Sequence, residues 1–68
     1  MQIVYNSKTD LLYIRFVEEI QEVENQKVSD GIVLDIGKNG KIVGIEILDA
    51  SNSIDLSTIL PIHIEQIA

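Results

Sequence analysis

A chain of 68 residues with no cysteine and one histidine has room for a single core, and lacks disulfides and thiolate metal ligands to reinforce it. Eleven acidic side chains against five basic ones give a net charge of −6, which argues against direct nucleic-acid binding, where lysine and arginine must neutralise phosphates. Apolar residues make up 46% of the chain, high for a molecule whose size forces many residues to the surface, so burial between subunits is the reinforcement left.

The opening residues Met1 to Lys8 lack the basic start and apolar stretch of a signal peptide. No apolar run approaches the ~20 residues of a membrane span, and the expectation is a cytoplasmic protein with no membrane contact. Ile3, Val4 and Tyr5 form a short β-rich run, and the turn-formers Asn6 to Asp10 lead from it into a second strand over Leu11 to Val17. Alternation puts Leu12, Ile14 and Phe16 on one face of that strand, with Leu11, Tyr13 and Arg15 on the other.

Glu18 to Val28 is the most polar stretch. Helical spacing of Ile20, Val23 and Lys27 offers a helix there, but an edge strand over Gln21 to Val28 fits better, because its charges would protect an open sheet edge. Asp30-Gly31 marks a tight turn of positive φ before the strand Ile32 to Ile36. Asn39-Gly40, between two apolar runs, is the strongest hairpin signal in the chain, and it leads to a strand over Ile42 to Leu48. Asp55 can cap a short helix bearing Leu56, Ile59 and Leu60, which Pro61 ends by residue 60. Ile62 to Glu65 alternates as a terminal strand, although Leu60, His63, Ile64 and Ile67 also fit a helical stripe. The whole reads as one small β-rich domain over residues 1–68. Its class is α+β, mostly β: a single curved antiparallel sheet, a meander of about five strands, with a short C-terminal helix and a terminal strand.

Three stretches together carry a family resemblance: Asp10-Leu11-Leu12-Tyr13-Ile14-Arg15, Asp30-Gly31-Ile32-Val33-Leu34-Asp35, and Gly40-Lys41-Ile42-Val43-Gly44-Ile45-Glu46-Ile47-Leu48-Asp49-Ala50-Ser51. In this order and spacing the chain resembles the small microbial proteins grouped as domain of unknown function 2283. Leu11 departs from the small residue usual at that place in the family. The resemblance implies a small antiparallel sheet with a short C-terminal element, and brings no activity, cofactor or catalytic residue with it.

Tyr13, Arg15, Asp35 and Glu46 each lie opposite the most apolar side of their strand. If those sides coincide they form a polar cluster with Arg15 between two carboxylates, either a cross-strand salt bridge worth roughly 0.2–1 kcal/mol or a contact site for a ligand or partner. Asp10, Asp30 and Asp49 read as turn chemistry. Gly44 marks a bulge, a close backbone approach or space for a large neighbour such as Tyr13. His63, without a second histidine or any cysteine, does not make a metal site, and neither catalytic residues nor a cofactor are expected. The leading expectation is a non-enzymatic, self-associating protein-interaction module, a homodimer. The alternatives are an acidic antitoxin-like partner of a basic toxin, permitted by the run from Glu18 to Glu24, and a small-molecule binder or enzyme using Arg15, Asp35 and Glu46.

Overall fold

The two-residue rhythm of the sequence becomes paired strands in the computed structural model, which describes residues 1–59 and 64–67, with the backbone alone at 59 and 64–67. Strand β1 (Gln2–Asn6) pairs antiparallel with β2 (Leu11–Arg15), setting Ile3 opposite Ile14 and Tyr5 opposite Leu12. β3 (Glu24–Ser29), β4 (Ile32–Ile36) and β5 (Ile42–Ile47) form a local meander. β6 (Ile64–Ile67) completes the described sheet, in the order β3-β4-β5-β2-β1-β6.

The antiparallel, mostly β architecture is the one expected, with one correction to its order. An uninterrupted meander would place β3 beside β2, whereas the structure places β5 there. Side-chain chemistry explains the choice. Against β5, Leu12 faces Ile47 and Ile14 faces Ile45, while β3 carries Glu24, Asn25, Gln26 and Lys27 and is exposed throughout. The link over residues 16–23 passes the end of the intervening strands, with the Gln21 amide lying where a Cβ on Gly37 would otherwise stand.

Strand limits shift in several places. β2 stops at Arg15, although the Phe16 amide still donates to the Val43 carbonyl at 2.8 Å, and β3 starts at Glu24 and remains the expected edge strand. The described part of the terminal strand, Ile64–Ile67, extends past the expected end at Glu65 and lies parallel to β1, not antiparallel like the rest, while the expected start at Ile62 falls outside the described residues. Its expected helical alternative at His63, and Leu60, fall outside the described residues.

The turns follow local rules with one exception. Asn39 (φ 63°) and Gly40 (φ 73°) supply the two left-handed residues that match the twist of a tight hairpin. At Asp30-Gly31 the expected positive φ is absent, and the register slips between Lys27 and Ser29 instead. A bulge there increases local twist and lets an ordinary turn close the hairpin.

One face of the sheet is covered by the segment C-terminal to β5. Ile3, Leu12 and Ala50 form the buried core, with Tyr5, Ile14, Ile47, Ile54 and Leu56 packed against it. Ala50 begins the four-residue helix α1 (Ala50–Ser53), which the turn-forming sequence does not announce. Asp49, its N-terminal neighbour, makes no side-chain cap bond. Asp10 takes that role from across the chain: its carboxylate accepts the Ser51 amide at 3.1 Å and the Ser51 hydroxyl at 2.7 Å. The same carboxylate accepts the Tyr5 hydroxyl at 2.7 Å, and the Asp10 carbonyl accepts the Ala50 amide at 2.9 Å. Downstream, Asp55 caps the expected turn of helix, a 3-10 segment over Leu56–Ile59, by accepting the Ser57 amide at 3.1 Å.

Hydrogen bonds from Ser51 and then from Tyr5 hold the Asp10 carboxyl below its ordinary pKa. A depressed acid contributes stability above its unfolded value, and that contribution is lost as pH falls through the folded value. D10N is therefore expected to melt below the wild type at neutral pH, with the two curves converging in acid. Melting profiles that stay parallel down the acid limb would show that the carboxylate is not the tie.

Candidate functional site

The face of the sheet opposite the core cluster carries two cross-strand rows. Register places Lys27, Val33, Glu46 and Tyr13 in one row and Asn25, Asp35, Gly44 and Arg15 in the next. All four residues singled out from the sequence therefore share one face, drawn from β2, β4 and β5. Strand pleating alone does this, since residues opposite each other in a ladder point the same way.

Asp35 is the centre of the group. It is 6% exposed, a buried carboxylate on the face opposite the core cluster. Asn25 Nδ2 donates to Asp35 Oδ1 at 2.6 Å and reaches Glu46 Oε2 at 3.5 Å, so one amide nitrogen bridges carboxylates from neighbouring strands. Hydrogen bonding with Asp35, reinforced by burial and by the charge of Asp35, pushes the Glu46 pKa up to about 7. Burial raises the Tyr13 phenol as well; the Asp35 charge adds to this, and Arg15 partly offsets it.

Arg15 does not bridge the carboxylates as the sequence pattern suggested. Its guanidinium carbon lies 5.8 Å from the centre of the Tyr13 ring, a cation–π contact, and the ion pair among the described residues is Lys27 with Asp30 at 3.8 Å. Arg15 also lines a groove of about 310 Å3 with Met1, Gln2, Phe16, Val17 and Glu18.

Gly44 makes the arrangement possible. A Cβ at this position would overlap the Tyr13 hydroxyl, and would stand 2.6 Å from the ring Cζ and 2.9 Å from the Ile14 carbonyl. Tyr13 thus folds across Gly44, one of the three roles its strand position suggested. Asn25 was not singled out, because its place opposite Asp35 follows from the β3–β4 register and not from any local pattern.

Chemically, Glu46 can hold and release a proton near neutrality beside the buried Asp35. Among the described residues, no three histidine, cysteine, aspartate or glutamate side chains gather as a metal site; His63 lies outside them. No helix among the described residues is long and apolar enough to cross a membrane.

Residues 2–51 match the family described as Protein of unknown function (DUF2283), and the chain belongs to that family. The matched span contains both the Asp10–Ser51 tie and the whole Asn25–Asp35–Glu46–Tyr13–Arg15 group. Comparison with curated proteins and with solved structures gives no significant match.

Two outcomes are expected at this site. Because the Glu46 pKa rises on folding from 4.5 to about 7, the folded protein keeps a proton that the unfolded chain releases. This contribution to stability is full below the unfolded value and is lost as pH rises to about 7. Urea unfolding of wild type should weaken over that window, and E46Q, which keeps a donor without titrating, should lose this dependence; an unchanged slope in E46Q refutes Glu46 as the titrating group. G44A should cost roughly 1–3 kcal/mol by overpacking Tyr13 and the β2 backbone, read as a lower urea midpoint, and a neutral G44A would mean that the ring has room to move.

Proposed function

We propose that the protein is a non-enzymatic, self-associating module of the cytoplasm, in which a second copy covers the open part of the apolar face. The core cluster occupies the β1–β2 side of that face, beneath α1. Toward β4 and β3 the face continues with Ile45, Leu34 and Ile32, and Ile32 (38% exposed) and Val28 (57% exposed) border water.

The observation that carries this reading is the exposed apolar edge of that face, where Ile32 and Val28 meet water next to the half-buried Leu34 and Ile45. A standard interface removes about 800 Å2 from each partner, and a chain this small gains by covering such an edge with a second copy. A second copy also fits because the patch is apolar, needing no opposite charge from its partner.

Sedimentation velocity across micromolar concentrations is expected to show a dimer that dissociates on dilution. Since each copy carries a net charge of −6, added salt should strengthen the association by screening their repulsion. I32K should yield a folded monomer by circular dichroism and sedimentation. A wild-type chain that stays monomeric at every concentration overturns the proposal.

A further inference from the structure

The groove of about 310 Å3 at the open end of the β1–β2 hairpin lies at the corner of the sheet diagonally across from the apolar edge. Arg15 stands level with Gly44 and Asp35, whereas Ile32, two strands over, stands level with Ile47 and Leu12 at the other end of the ladders. The groove is therefore separate from the surface assigned above to a second copy.

Three kinds of side chain meet in it. Phe16 (46% exposed) and Met1 (76% exposed) give it apolar walls. Arg15 gives it a cation, half-buried and set over the Tyr13 ring. A guanidinium held in this way is restrained before any ligand arrives, and its planar fork of donors remains available to a carboxylate. Glu18 gives the groove an anion. The two charges line one groove without pairing with each other, since the ion pair among the described residues is Lys27 with Asp30.

Size and charge together select the class of ligand. The volume sits at the lower end of small-molecule sites, which run from roughly 300 to 1,000 Å3, so it suits a small metabolite. A bare anion would be repelled by a chain of net charge −6, and a bare cation would meet Arg15. A zwitterion has no net charge and offers an opposite charge to each side chain at once. We propose that this groove binds a free α-amino acid with an apolar side chain, its carboxylate on Arg15, its ammonium on Glu18 and its side chain against Phe16 and Met1. The site adds a ligand to the module and does not depend on self-association.

Titration of the full chain with L-leucine, followed by amide NMR shifts, tests it. Saturable shifts are expected at Gln2 and at Arg15 to Glu18, with a Kd of about 1 mM, the affinity a ligand this small gains in an open groove. Isocaproate, which lacks the ammonium, and isoamylamine, which lacks the carboxylate, should each bind at least about tenfold more weakly, because each forfeits one charge-assisted hydrogen bond. R15Q and E18Q should weaken leucine binding by about the same factor and keep the sedimentation behaviour of wild type, which separates a failure here from a failure of the dimer. The comparison of the three ligands on wild type needs no variant to fold. Shifts that do not saturate by about 50 mM, shifts centred on other residues, or either half-ligand binding as tightly as leucine would each overturn the assignment.

Discussion

The Asp10 carboxylate fastens the covering layer of this molecule to its sheet. It lies in the first turn, receives the Tyr5 hydroxyl from β1, and receives the amide and hydroxyl of Ser51 from the start of α1. A helix of four residues cannot stand alone in water, because nucleation costs more than so few hydrogen bonds return. Tied to Asp10, it can set Ala50 against Ile3 and Leu12, and that contact closes the core. The left-handed backbone at Asp10 (φ 55°) and Asp49 (φ 53°) on either side of the tie places both segments for it. Aspartate tolerates this conformation better than most residues.

Legibility in the sequence tracks the range over which each signal acts. The Asn39-Gly40 hairpin and the faces of β2 and β5 depend on neighbours one or two positions away, and they appear as read. The pairing of β2 with β5 depends on which distant strand offers an apolar partner, so the expected meander was wrong at that one joint. α1 was hidden for the same reason, since its cap arrives from 41 residues upstream. The parallel direction of β6 leaves no trace in alternation, which is blind to strand polarity.

The polar group shows the same division. Pleating made it foreseeable that Tyr13, Arg15, Asp35 and Glu46 could share a face, and that Gly44 could yield its space to Tyr13. The partners within the group were not foreseeable. Arginine opposite two acids suggests a salt bridge, yet a guanidinium lying on an aromatic ring leaves the acids to share an asparagine. Which of these arises is decided by side-chain geometry of an ångström or two, below the resolution of any pattern in residue order.

The strand order divides the molecule into two locally paired pieces, the β1–β2 hairpin and the β3–β4–β5 meander, with the β2–β5 ladder as the seam between them and β6, from the chain beyond the meander, added along β1. Each piece can pair from near neighbours in microseconds, but the seam must wait for the chain between Arg15 and Gly44 to close on itself. Its ladder sets Leu12 and Ile14 against Ile47 and Ile45, so much of the apolar gain is collected in that last step. A backbone cut in the exposed link at 16–23 would spare every ladder, leaving two fragments able to reassemble along the seam as separate molecules.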